Sequence, residues 1–149
     1  MKRRTFLAGL ASLSTVNLAY GGEASRDATL YKNPQCGCCE YHAAYLRRHG
    51  YRVTEIATHD LDRIRRDHGV PEKLYGCHTL LVGGYVVEGH VSAGIIDRLL
   101  RERPKIRGIS LPGMPQGSPG MTGTKTEPFQ IYEISLNASP YRPRVYAVD

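Results

Sequence analysis

"NPQCGCCEYH", residues 33–42, packs three cysteines into four positions directly after Ala28 to Lys32, a run that reads as a strand. Asn33-Pro34 stops that strand, because proline lacks a backbone N–H and drives the preceding residue out of helical geometry. A helix then begins at the cysteines. Cys39, Ala43 and Leu46 recur at i, i+4 and i+7, Arg47 and Arg48 stand near its end, and Gly50 is placed to cap it. The motif therefore occupies a strand-to-helix turn. Unpaired N–H groups and the helix dipole at such a turn favour a thiolate, lowering a thiol pKa from about 8.5 into the range of roughly 3.5 to 7.5.

Working outward, "YRVTEIAT" (51–58) reads as a second strand. Asp60 is placed to cap a short helix carrying Leu61 and Ile64, ended by Gly69, and Pro71 suits the start of another helical turn through Leu74. Thr79 to Val82 and Tyr85 to Glu88 flank Gly83-Gly84, a hairpin signal because glycine tolerates positive φ. Ser92 is placed to cap a last helix burying Ile95, Ile96, Leu99 and Leu100, closed by Pro104. The order β, α, β, α, β, β, α, with cysteines opening the first helix, predicts an α/β, thioredoxin-like three-layer fold around a central mixed sheet. "LPGMPQGSPGM" (111–121) predicts a Pro/Gly-rich loop, and "FQIYEISL" and "RVYAV" predict C-terminal strands at the sheet edge.

The first 21 residues read differently. Lys2, Arg3 and Arg4 precede a mostly apolar stretch from Phe6 to Leu18, and Ala19-Tyr20-Gly21 offers small residues at signal-peptidase spacing. The stretch is shorter than the roughly 20 apolar residues of a membrane span and is interrupted by Ser12, Ser14, Thr15 and Asn17. Residues 1–21 are expected to be a cleavable export signal, leaving 22–149 as a single domain with no stable membrane insertion. "RRTFL" resembles a twin-arginine signal, although a lysine stands where Ser or Thr usually precedes the pair, so the general secretory route stays open. Cleavage removes Lys2, Arg3 and Arg4, taking the formal charge from +6 to +3. The remaining arginines are interspersed with acids, which argues against a nucleic-acid stripe.

Export to the periplasm alters what the cysteines mean, since free thiols there oxidise unless occupied or kept reduced. Cys36, Cys38 and Cys39 are too close together to staple a long loop, so a purely structural disulfide role is disfavoured. Cys36 and Cys39 form a C-x-x-C pair suited to dithiol exchange. Cys77, the fourth cysteine, precedes the strand expected beside the first one, in the turn where thioredoxin-like proteins usually carry a cis-proline. Four soft sulfurs converging select Cu(I), Zn(II) or an iron–sulfur centre. A closed zinc site favours two separated pairs, whereas a packed C-x-C-C suits bridging thiolates around more than one Cu(I).

"NPQCGCCEYH", "GCHTLLVGGYVVEGHV" and "LPGMPQGSPGM", in this order, closely resemble the CopG-type periplasmic copper-resistance proteins, over about Thr29 to Met121. The resemblance implies a thioredoxin-like fold, copper bound by Cys36, Cys38, Cys39 and Cys77, and a role in copper homeostasis with interconversion of Cu(I) and Cu(II). One position departs. Three residues after the last motif cysteine, where that family commonly has tryptophan, this chain has His42.

His42 lies at i+3 from Cys39 and i+4 from Cys38, and reads either as an added ligand or sulfur hydrogen-bond partner, or as a partly exposed helix residue. His78, next to Cys77, points to the other face of its strand if alternation holds, as a core or functional histidine. His90 reads either as a returning ligand or as the surface partner of Glu88. Met114 and Met121 carry thioethers suited to Cu(I) but read first as packing residues. His49, His59 and His68 read as solvent-facing. The leading expectation is an exported Cu(I)-binding protein whose partners are copper ions, with other periplasmic copper proteins or a copper efflux system as further candidates. The rivals are a thiol-disulfide oxidoreductase using Cys36 and Cys39, and a passive copper carrier.

Overall fold

The computed structural model describes residues 25–137 and 142–149. The expected export signal, residues 1–21, lies outside them. Within the described residues the chain runs β1 (Asp27–Lys32), α1 (Gly37–Arg48), β2 (Arg52–Ala57), α2 (Leu61–Asp67), a 3-10 turn (Glu72–Leu74), β3 (Thr79–Val82), β4 (Tyr85–Glu88), α3 (Ala93–Glu102), β5 (Gly108–Ser110), β6 (Gln130–Ile134) and β7 (Val145–Val148). The strands form one mixed sheet in the order β2-β1-β3-β4-β5-β6-β7. The β1–β2 and β4–β5 pairs are parallel and the others antiparallel. The fold is α/β and thioredoxin-like, as the order of elements predicts, with C-terminal strands extending one edge. The three-residue β5 was not expected, because "GIS" offers too little pattern to read.

Alternation along β3 and β4 divides the core into two layers. Leu80, Val82 and Val87 join the cluster built on α1 and α3, with Leu30, Ala43, Leu46, Ile96 and Leu99. Leu81 and Val86 face the other side, with Val70 and Leu74 from the segment after α2. The predicted helix stops are present: α1 and α2 both end in paired bonds, Gly50 N–H to Arg47 and Tyr51 N–H to Leu46, then Gly69 N–H to Arg66 and Val70 N–H to Arg65. Gly50 (φ 87°) and Gly69 (φ 67°) supply the left-handed residue that this double bond requires.

The expected starts hold in position but not in chemistry. Asp60 and Ser92 are N-cap residues, yet neither side chain makes a capping hydrogen bond. The Asp60 carboxylate instead accepts from Arg63, 2.8 Å away, and the Ala93 N–H at the start of α3 donates to the Tyr45 hydroxyl from α1 at 3.2 Å.

The register Tyr31↔Thr79 positions the site. Antiparallel pairing sets the C-terminal end of β1 beside the N-terminal end of β3, so the helix-opening cysteines and Cys77 meet at one end of the sheet. A buried ion pair holds the Cys77 turn in place. Glu88, fully buried in β4, accepts from Arg65 Nε at 2.8 Å, from the Gly76 N–H at 3.0 Å and from the Thr79 hydroxyl at 2.7 Å. Arg65 also donates to the Gly76 carbonyl at 2.6 Å, so both backbone groups of the residue before Cys77 are tied to one pair. Burial pushes the Glu88 pKa up, while Arg65 and the Thr79 and Gly76 hydrogen bonds oppose that rise. The expectation of a Glu88–His90 pair at the surface is thus overturned: both residues are fully buried and Glu88 is taken by Arg65.

Removing one partner of a buried ion pair strands the other charge, at about 3–5 kcal/mol. Glu88→Ala is therefore expected to lower unfolding stability by that amount in urea titration. A loss below about 1 kcal/mol would show that the Cys77 turn does not depend on this pair.

Candidate metal centre

Cys36 is the N-cap of α1, and Cys38 and Cys39 lie in its first turn. Cys36 and Cys39 form a disulfide, while Cys38 and Cys77 carry free thiols. Cys77 is the hub. Its sulfur lies 3.0 Å from that of Cys38, 3.3 Å from Cys36 and 3.4 Å from Cys39, and Cys36 and Cys38 are 3.5 Å apart. All four sulfurs fall within 4.8 Å of one another. The four candidate cysteines therefore converge.

Cys77 lies in the bend before β3, away from the helix start whose dipole favours the motif thiolates. Burial first, then the hydrogen bond and charge of Cys38, push its pKa up to about 12, against the opposing pull of Arg65. A thiol raised this far keeps its proton at neutral pH, and a metal held there would have to displace it.

An open cleft of about 500 Å³ gives access to the sulfurs and is lined by Cys36, Cys77, His59, Arg65 and Met114 among others. Met114 is exposed and borders this cleft. Met121 does not line it, and its N–H closes a turn on Ser118 instead. His59, expected to face solvent, edges the opening; His49 is exposed and His68 partly so.

The other three candidate histidines are gathered behind the sulfurs. His42, His78 and His90 are each fully buried, and their ring centroids stand 4.8–4.9 Å apart. His42 is thus not the partly exposed residue that one reading allowed, and it hydrogen-bonds His78 rather than a sulfur. Alternation accounts for His78: it shares the parity of Leu80 and Val82 and faces α1, while Cys77, in the bend before β3, packs against the same cluster with its donor atom within 4.8 Å of that of His78. The Pro/Gly-rich loop folds over these imidazoles, with the Pro119 carbonyl 2.6 Å from His90 Nδ1. Gly120 (φ 83°) comes so close to the His42 backbone that a Cβ there would clash. Sequence reasoning missed Arg65, one of several indistinguishable arginines on a short helix. Sequence reasoning placed Glu88 at the surface, although a carboxylate ending the apolar "YVVE" strand is a signal that could have pointed to a buried partner.

Residues 74–121 match the family described as "Protein of unknown function, DUF411". A search of curated proteins returned no match. Two solved structures, described as copper resistance protein CopG form 1 and form 2, are each 33% identical to this chain at a TM-score of 0.74. The alignments cover 85% and 83% of this chain, and 98% and 97% of the solved chains. The chain belongs to the CopG copper resistance protein family. In a CopG protein, four sulfurs set this close form a donor group suited to a soft metal, copper above all. No helix among the described residues is long and apolar enough to cross a membrane.

Burial lowers the pKa of all three histidines, His42 to about 3, reinforced for His42 and His78 by their imidazole neighbours. The unfolded chain takes up protons near pH 6.5 whereas the native metal-free chain does not, so native stability falls as pH drops below that value. The slope is at most about 1.4 kcal/mol per pH unit for each histidine. Urea titrations of metal-free protein between pH 7 and 5 are expected to show this loss, with a shallower slope for His42→Leu. Equal slopes in the two proteins would show that His42 is protonated alike in its native and unfolded states.

Proposed function

We propose that this chain is an exported copper-binding protein that holds more than one Cu(I) on the thiolates of Cys36, Cys38, Cys39 and Cys77, in the service of copper resistance in the periplasm. The observation that carries this reading is the position of Cys77, whose sulfur approaches all three motif sulfurs within 3.4 Å. Dithiol exchange needs only two sulfurs. A fourth, delivered from another strand to touch the first three, is what a polynuclear thiolate site requires.

The same residues support redox conversion. Closing the Cys36–Cys39 disulfide releases two electrons and two protons, which balances reduction of two Cu(II) to two Cu(I). The reverse, oxidation of two bound Cu(I), returns the pair to thiols. In the disulfide form only Cys38 and Cys77 remain as free thiols, so the state of this pair would set how much Cu(I) the chain holds. The expected export signal over residues 1–21 supports a periplasmic place. The open cleft beside Cys36 and Cys77 is wide enough for exchange of copper with another periplasmic copper protein or an efflux component.

A second reading, thiol-disulfide oxidoreductase, is favoured by one observation: the disulfide joins the first and last cysteines of the helix-opening motif in a thioredoxin-like fold. The two readings diverge on Cys77. Reduced protein, loaded with Cu(I) without oxygen and challenged with a moderate chelator, is expected to retain several coppers per chain, with sulfur neighbours in X-ray absorption. Cys77→Ser is expected to weaken retention at least about tenfold, in line with losses at metal sites. Failure of the unsubstituted chain to hold Cu(I), together with full disulfide exchange by Cys38→Ser and Cys77→Ser, would replace this reading with the second.

A further inference from the structure

The imidazoles behind the thiolates carry a hydrogen-bond pattern that fixes their tautomers. His42 Nε2 lies 3.0 Å from the Val91 carbonyl, which can only accept, so Nε2 bears the proton and, in the neutral ring, Nδ1 is a bare lone pair. His78 Nε2 lies 2.9 Å from that lone pair and must therefore donate to it, which leaves His78 Nδ1 bare. His90 Nδ1 faces the Pro119 carbonyl and must donate, which leaves His90 Nε2 bare. His78 Nδ1 and His90 Nε2 are the two buried side-chain nitrogens or oxygens without a hydrogen-bond partner among the described residues.

Two lone pairs left empty in a packed interior are costly unless something occupies them. Each of these rings has its other nitrogen committed to an acceptor, the arrangement by which proteins orient histidine ligands toward a metal. One donor atom each from Cys77, His78 and His90 falls within 4.8 Å of the others. On a tetrahedral ion, with bonds of about 2.0 Å to nitrogen and 2.3 Å to sulfur, neighbouring donors stand roughly 3.3–3.5 Å apart. From that 4.8 Å limit, a closure of about an ångström would bring three such donors onto one ion.

The geometry points to a second metal position, distinct in chemistry from the four-sulfur group, in which His78 Nδ1, His90 Nε2 and the Cys77 thiolate hold one divalent cation of borderline softness. Two imidazoles and one thiolate suit Cu(II) or Zn(II), whereas the all-sulfur group suits Cu(I). Cys77 belongs to both sets. His42 is a positioning residue: it touches no ion, but its acceptor nitrogen holds the His78 proton on Nε2 and so keeps Nδ1 open. This inference stands apart from Cu(I) storage, because its site survives when Cys36 and Cys39 are joined as the disulfide.

The test uses Co(II) under nitrogen, since Cu(II) would oxidise the adjacent Cys38 and Cys77 thiols. The protein is the Cys36–Cys39 disulfide form carrying Cys38→Ser, which leaves Cys77 as the one free thiol. Binding of one Co(II) per chain is expected, with a sulfur-to-cobalt charge-transfer band and an X-ray absorption shell of one sulfur and two imidazoles. His42→Leu is expected to weaken binding by about 10- to 100-fold, and His78→Ala and His90→Ala by at least as much. His42→Gln, whose amide oxygen can still accept from His78, is expected to bind more tightly than His42→Leu, which a merely space-filling role would not produce. A shell without imidazole, no Co(II) uptake, or uptake indifferent to His78→Ala and His90→Ala would overturn the site. Should the alanine variants fail to fold, the shell measured with both histidines in place decides alone. Loss of this site with Cu(I) retention intact would leave the thiolate reading standing, and the opposite result would spare this one.

Discussion

The antiparallel pairing of β1 with β3 is the constraint on which the site depends. The cysteine motif follows β1 and Cys77 precedes β3, so only a pairing that runs the strands in opposite directions sets the two segments at the same end of the sheet. The register Tyr31↔Thr79 fixes how far along they meet. Hydrophobic alternation enforces that register, because a slip of one residue would turn Leu80 and Val82 out of the core shared with α1 and expose Leu81 in the wrong layer. The chemistry at the end of the sheet is thus held by packing well away from it.

Against this frame, the Arg65–Glu88 pair performs a local task. A turn that presents a side chain to a candidate site needs a defined backbone, and here the peptide groups of Gly76 are held by a guanidinium on one side and a carboxylate on the other. A buried pair is a weak source of net stability, since desolvation offsets most of the attraction. What it supplies is position: the Cys77 sulfur is delivered to a point within 3.0–3.4 Å of three others. The rise in the Cys77 pKa follows first from the burial that comes with this position.

Much of this was legible in the sequence, for identifiable reasons. The helices and the β3–β4 hairpin announced themselves through periodicity and through glycines at positions that need φ > 0, and the four cysteines through their spacing and softness. Other features resist such reading. Asp60 and Ser92 look like capping residues by type, yet whether a side chain turns inward to cap depends on competitors, and Arg63 and Tyr45 intervene. Arg65 cannot be told from Arg63 or Arg66 without knowing which face of a two-turn helix meets the sheet. The grouping of His42, His78 and His90 depends on contacts between residues 12 to 48 positions apart and on a loop that closes over them, which no local pattern encodes. Strand alternation suggested that His78 and Cys77 would part to opposite faces, yet both lie before β3 and their donors come within 4.8 Å.

Cys77 and His78 are joined by one peptide bond in the bend before β3, and their donor atoms lie within 4.8 Å of each other. One short turn therefore serves two donor environments, sulfur-rich toward the start of α1 and nitrogen-rich behind it, with no spacer between them. Over evolutionary time such a segment can exchange side chains but cannot change length. One residue gained or lost between Gly76 and Thr79 would part the thiol from the imidazole beside it, so the length of this turn is as constrained as its donors.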